Sequence, residues 1–183
     1  MTDLLTLSGV HTHIGRYHIL QGIDLVVPQG QTTMLLGRNG AGKTTTLRTI
    51  MGLWRASRGE HEIFPPLKKF WLSRAGTLSG GQKQMLSFAR AFIEPRRLLL
   101  IDEPTKGLAP AIIGALVECL AEVKRRGATI LLVEQNFRVA QEIGDTVSVM
   151  DNGRVVHSGT MAELARDAAL QHRLLGLSLD THQ

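Results

Sequence analysis

Residues 37–45 read "GRNGAGKTT", and this stretch decides the fold. It follows "QTTMLL", residues 31–36, a short and mostly apolar run that predicts a strand. It leads into a predicted helix from Thr44 to Met51, closed by Gly52. Strand, glycine loop and helix in that order fill every position of the phosphate-loop pattern. Glycines let a backbone curl around phosphate oxygens and aim its N–H groups inward. The candidate contacts are Gly37, Asn39, Gly40, Ala41, Gly42, Lys43, Thr44 and Thr45. Lys43 would neutralise β- and γ-phosphates, and the Thr44 hydroxyl would ligate Mg²⁺. The helix start points its positive end at the same anion. A glycine-rich turn alone looks similar, and the flanking strand and helix are what separate the two readings.

Outward from the loop, "LLLIDE", Leu98–Glu103, is an apolar strand ending in two acids. Taken alone, such a strand is common. Beside a complete phosphate loop, Asp102 becomes a candidate for the Mg²⁺ shell and Glu103 for the base that polarises an attacking water. "LSGGQ", Leu78–Gln82, places Ser79, Gly80, Gly81 and Gln82 at the start of another predicted helix, a second anion-binding surface.

These three motifs, in this order, resemble the ATP-binding cassette (ABC) ATPases of membrane transporters. The resemblance sharpens over "GRNGAGKTTTLRTIMGL", "RAGTLSGGQKQML", "LLLIDEPTKGLAP" and "TILLVEQN". Together these are similar to the ATP-binding subunits of branched-chain amino acid transporters and their amide- or urea-transporting relatives. The resemblance implies a P-loop NTPase fold of ABC-ATPase type, an α/β architecture. Its mainly parallel sheet is flanked by helices, with an antiparallel β part and a helical subdomain. It implies ATP and Mg²⁺ as cofactors, ATP hydrolysis coupled to uptake, transmembrane permease partners and a location on the cytoplasmic membrane face. It also implies a second ATPase subunit, homo- or heterodimeric and paired head to tail. Ser79–Gln82 of one chain would then cover the γ-phosphate held by the other. Gln135 stands where most cassettes carry a switch histidine; it can hydrogen-bond a γ-phosphate but cannot become cationic. Ala109 replaces the usual interface aspartate, as in this branch, and "LQHRLLG" resembles its C-terminal signature. The position that stacks on adenine in most cassettes is Ile14, which is not aromatic. Tyr17 or His13 would substitute, or an aliphatic contact would suffice.

The rest of the chain agrees with an α/β domain. Leu4–Leu7 predicts a short strand, and Ile23, Leu25 and Val27 alternate with polar Asp24 in another, ending at the Pro28–Gly30 turn. Helices are expected from Pro110 to Arg126 and from Phe137 to Ile143, with a buried strand in "ATILLVE" between them. "TVSVM" and "RVVHS" flank Asp151-Asn152-Gly153, a hairpin signal. Thr160 and Glu163 form a capping-box pattern before the last helices. At 183 residues, 43% of them hydrophobic, one domain is expected over 1–183. The net charge of +5 suits a phosphate-rich ligand and is too small and dispersed to argue for nucleic acid. Lys124-Arg125-Arg126 reads as a helix end whose cations favour the dipole. Cys119 is the sole cysteine, so no intrachain disulfide forms. No run reaches the ~18–20 apolar residues that span a bilayer, so any membrane role is peripheral. His11, His13 and His18 read as strand or loop histidines, since metal binding needs convergent geometry and usually a fourth ligand.

One interval is too short. Only 35 positions separate Lys43 from Leu78. The resemblance implies several tens more residues here, including the loop that contacts Mg²⁺ and the transmembrane partner and much of the helical subdomain. They are expected to be deleted near His61. Residues 60–95 would then form a shortened and mobile helical subdomain, with 60–74 the least ordered internal region. Residues 53–76 have no clear pattern; "EIFPPLKKFWLSRAG", residues 62–76, suggests a broken helix, interrupted by Pro65-Pro66. Two functional readings remain: an energising ATPase subunit, and a truncated or regulatory nucleotide binder that does not couple to transport. A phosphate-loop kinase leaves "LSGGQ" without a role.

Overall fold

The computed structural model of the chain describes residues 2–62 and 97–176. In chain order its elements begin with β1 (Asp3–Ile14), β2 (Tyr17–Pro28), β3 (Thr32–Leu36), α1 (Lys43–Ile50), β4 (Ala56–Glu62) and β5 (Leu98–Asp102). They continue with α2 (Pro110–Arg125), β6 (Thr129–Val133), α3 (Phe137–Ile143), β7 (Thr146–Asp151), β8 (Arg154–Thr160), α4 (Met161–Arg166) and α5 (Ala168–Leu175). One sheet has the order β5-β6-β3-β7-β8, and a second has the order β2-β1-β4. In the first, β5, β6, β3 and β7 run parallel and β8 returns antiparallel through the predicted hairpin.

The apolar runs with no alternation are the central strands. Every residue of β3 and of β6 is buried. Successive side chains on a strand point to opposite faces, so such a strand feeds two cores. Leu35, Leu131 and Val133 pack with Leu7, Leu20, Ile23 and Leu25 of the antiparallel sheet and with Leu47 and Ile50 of α1. Met34, Leu36, Ile130 and Leu132 face the other way, against Leu116 and Leu120 of α2, Val139 and Ile143 of α3, and Leu164 of α4. The parallel sheet is therefore covered on both faces. In β2 the expected alternation holds, with Ile23, Leu25 and Val27 buried and Asp24 exposed.

Three expectations are corrected. β1 runs for 12 residues, well beyond Leu4–Leu7. Bulges after Leu7 and Val10 let His11, Thr12 and His13 continue the pairing with β2 while breaking the apolar alternation. Residues 56–62, given no element of their own above, form a strand. Their composition has no strand period, but β1 offers a second edge and the backbones pair from Thr12↔Ala56 to Thr6↔Glu62. Glu60–Glu62, assigned above to the shortened helical subdomain, therefore end β4. The remainder of that subdomain, of the least-ordered interval and of the broken helix suggested over 62–76 lies outside the described residues. The basic helix end is also more engaged than expected. Lys124 donates to Asp145 Oδ1 at 2.6 Å and to the Ile143 carbonyl at 3.1 Å, tying α2 to the end of α3.

Thr160 and Glu163 make the full reciprocal capping box on α4. α3 begins at Asn136, whose Oδ1 accepts from Val139 N at 3.4 Å. Both helices start where the sequence signals placed them.

Candidate functional site

Strand order builds the site. β5, β6 and β3 are parallel neighbours, so their carboxyl-terminal ends lie side by side with β6 in the middle. Such strand ends are where parallel α/β sheets place their ligands. β3 delivers the 37–45 loop, β5 delivers Asp102 and Glu103, and β6 delivers Glu134 and Gln135. The candidate groups of three separate motifs meet for that reason.

The loop is held from behind by the β7–β8 turn. Gly153 N donates to the Ala41 carbonyl at 3.0 Å, and Gly153 O accepts from Gln21 N at 2.8 Å. The turn thus clips the loop to β2. Gly37 lies at φ 142°, and a Cβ there would overlap the Met150 carbonyl oxygen. A side chain at 37 would push the loop off β7. Gly42 caps the start of α1 at φ 103°, in the left-handed region where glycine carries no steric penalty.

Lys43 is buried, and its Nζ donates to the carbonyls of Gly37 at 2.7 Å and Arg38 at 3.0 Å. The amine lies folded over the loop whose bound phosphates it would neutralise. Burial lowers its pKa; the negative charges of Glu103 and Asp102 oppose that shift. Thr44 Oγ1 donates to Asp102 Oδ1 at 3.2 Å. A hydroxyl and a carboxylate side by side are hard oxygen donors of the kind Mg²⁺ takes, so these residues fit that ion.

Glu103 takes φ 43°, an uncommon backbone conformation for a residue with a side chain. Its N–H is fixed by the Val133 carbonyl at 2.9 Å. Its carboxylate accepts from Lys106 Nζ at 2.8 Å and from Gln135 Nε2. The Lys106 bond chiefly holds its pKa below the ordinary carboxylate value, with a further lowering from Gln135. Gln135 Nε2 also donates to Asn39 Oδ1 at 2.6 Å. One amide therefore spans all three strand ends. A cavity of about 290 Å³ opens beside it, lined by residues 36–39, Glu134, Gln135, Phe137 and Leu175.

The structure thus brings together the loop residues Gly37 and Asn39 through Thr45 with Asp102, Glu103 and Gln135. Ser79, Gly80, Gly81 and Gln82 lie outside the described residues. Ile14 is half-buried, His13 stacks on His18, and Tyr17 is 65% exposed. Two residues that touch the cluster were not singled out from sequence, Lys106 and Glu134. Lys106 was one position in a motif read as a whole. Glu134 had a detectable signal, an acid directly after a strand that is apolar from Ile130 to Val133.

Comparison with known proteins gives the family. The ABC transporter family model matches residues 20–66 and 63–106. The chain is 30% identical to the high-affinity branched-chain amino acid transport ATP-binding protein BraG of Pseudomonas aeruginosa, over 94% of this chain and 100% of that one. That alignment spans 232 positions, at least 49 more than the 183 residues here. It is 27% identical to the probable branched-chain amino acid transport ATP-binding protein LivF of Archaeoglobus fulgidus, over 87% of this chain and 93% of that one. A solved ATP-binding subunit of an ABC transporter superposes with a TM-score of 0.76 at 28% identity, covering 97% of this chain and 96% of that one. The two family matches meet at 63–66, close to the expected deletion at His61. With the loop, the acid strand and the parallel sheet assembled as described, the chain belongs to the ABC transporter family of ATPases.

Proposed function

We propose that this chain binds Mg-ATP on the 37–45 loop and hydrolyses it as the energising subunit of an uptake transporter for branched-chain amino acids or related small polar solutes. The observation that carries the site is the junction of three strand ends, where Lys43, Thr44–Asp102 and Glu103–Gln135–Asn39 face one loop. The solute class is supported by the relatives BraG and LivF, whose names state branched-chain amino acid transport.

The chemistry follows from the groups. Loop N–H groups and the α1 start receive the β- and γ-phosphates, and Lys43 swings from the Gly37 and Arg38 carbonyls to neutralise them. Thr44 and Asp102 would hold Mg²⁺, which when bound neutralises charge developing on the phosphates. Glu103, kept ionised by Lys106 and Gln135, accepts the proton of an attacking water. Gln135 reaches the terminal phosphate as a neutral donor. Tyr17 is favoured over His13 for the adenine, because the His13 ring already lies against His18.

The partners proposed are a second cassette, supplying Ser79–Gln82 across the γ-phosphate, and transmembrane permease subunits at the cytoplasmic membrane face. Among the described residues no helix is long and apolar enough to cross a membrane.

Lys43→Ala tests the site. Losing hydrogen bonds to a charged ligand costs about 1.5–3 kcal/mol, so affinity should fall roughly 10- to 150-fold by calorimetry. Equal affinity in variant and parent would remove the loop from the binding site. Mixing Lys43→Ala with Ser79→Ala should restore one intact composite site and part of the turnover. Activity that stays at the sum of the two variants would remove the paired-cassette reading. Tight ATP binding with no turnover under any pairing would favour the non-coupling binder.

A further inference from the structure

Glu134 is 2% exposed, the most buried carboxylate of the cluster, and the hydrolytic chemistry above does not use it. Its Oε1 accepts from Thr105 N at 3.1 Å and Thr105 Oγ1 at 2.6 Å. Its Oε2 accepts from Gln135 N at 2.9 Å and Asn136 N at 3.1 Å. Two oxygens offer about four acceptor sites, and here all are filled. A carboxylate so saturated has no lone pair left for a metal or a phosphate-bound proton. It is therefore neither ligand nor base.

The donors divide in a telling way. Both bonds to Oε1 come from the loop after β5, two residues beyond Glu103. Both bonds to Oε2 come from the loop after β6, which begins with Gln135. A buried charge is held only if its partners stay in place, and loss of one side leaves an unsatisfied ionic group. The carboxylate therefore makes one rigid unit of two loops that the sheet itself joins only through strand backbones. It sits directly behind the contacts of Gln135 with Glu103 and Asn39.

We propose that Glu134 is a positioning residue that sets Gln135 to discriminate a terminal phosphate from its absence, by locking the loops after β5 and β6 together. This rests on the nucleotide reading of the site. In Glu134→Gln the amide keeps the shape but presents N–H groups to donors on one side. Either the Thr105 bonds or the Gln135–Asn136 bonds must then break.

The test compares two nucleotides on the full chain with Mg²⁺: ADP and the β,γ-imido analogue of ATP, which carries the terminal phosphate but is not hydrolysed. The parent should prefer the analogue. Glu134→Gln should reduce that preference about tenfold, the order expected for charge-assisted hydrogen bonds, with ADP affinity within about twofold. Thr105→Val, which removes one hydroxyl donor, should act in the same direction at about two- to fivefold, and it carries the test if Glu134→Gln does not fold. In a Gln135→Ala background, either change should add little, because both act through Gln135. Equal loss of both nucleotides would assign Glu134 a merely structural role and overturn the proposal. So would an unchanged preference in a folded variant, or full additivity with Gln135→Ala. A parent that binds both nucleotides alike also overturns it. A parent that binds neither overturns the nucleotide reading itself.

Discussion

Two polar clusters in this molecule look equally dense on paper and differ in kind. One gathers Lys43, Asp102, Glu103, Glu134 and Gln135 at the ends of β3, β5 and β6. The other gathers His11, His13 and His18 on the β1–β2 hairpin. In the first, the side chains come from two neighbouring strand ends and the start of α1, on different sides of one loop, so donors and acceptors converge. In the second, the groups stand on the faces of paired strands and point the same way. Their rings stack instead, at 4.2 Å and 4° for His13–His18 and 5.0 Å and 24° for His11–His18. Three ring nitrogens bond to neighbours, His11 Nδ1 to His18 Nε2 at 2.8 Å and His13 Nδ1 to Ser57 Oγ at 2.9 Å. Among the described residues, no group of three or more His, Cys, Asp or Glu is arranged to hold a metal ion. Convergence, rather than the number of functional groups, distinguishes the first cluster.

The largest effect that bears on this contrast is expected at Glu103. Glu103→Gln keeps the contact with Gln135 but removes the proton acceptor. Turnover should fall by about 10²–10⁴-fold with nucleotide affinity retained, read from steady-state rates and calorimetry. Undiminished turnover per bound nucleotide would move the chemistry to another group. A smaller effect is expected at Lys106, which is 74% exposed and so is screened by solvent and salt. Its bond chiefly lowers the Glu103 pKa. Lys106→Ala should raise that pKa, so the acid limb of the kcat profile moves to higher pH, less so as salt is added. An acid limb that stays in place would show that the ion pair does not tune the base.

The smallest effect is expected in the histidine stack. Desolvation within the ring stack lowers the His18 pKa below its ordinary value of 6.5, with further lowering from the charges of His13 and His11. The unfolded chain then takes up the proton more readily. Stability from this group is complete above the unfolded pKa and is lost as pH falls through the folded one. His18→Gln should flatten the decline in Tm between neutral and mildly acidic pH and leave nucleotide affinity within about twofold. A large loss of affinity would make the hairpin part of the site and dissolve the contrast.

The residues differ in how legible they were. Lys43, Thr44, Asp102 and Glu103 are short-range signals, because each sits at a fixed offset within a strand, loop or helix junction. Local geometry constrains them wherever the domain packs. Gln135 required the resemblance to a family, since one amide after a strand has no periodic signature. β4 was illegible because "ASRGEHE" is ordered through backbone pairing with β1 rather than through its own apolar period. The length of β1 was hidden by bulges for the same reason.

Order and spacing along the chain therefore determined that a phosphate loop, an acid-ended strand, a hairpin and a helix cap exist, because each depends on neighbours only a few residues away. Which of them touch was decided by the tertiary structure. The order β5-β6-β3 puts Gln135 between Glu103 and Asn39, separated from them by 32 and 96 positions in sequence. The β7–β8 turn clips the loop through Gly153. Glu134 becomes a buried node only because Thr105, 29 residues away, is folded against it. Sequence separation carries no information about these contacts. Parallel pairing is set by which apolar faces can be covered together, and that is a property of the whole sheet.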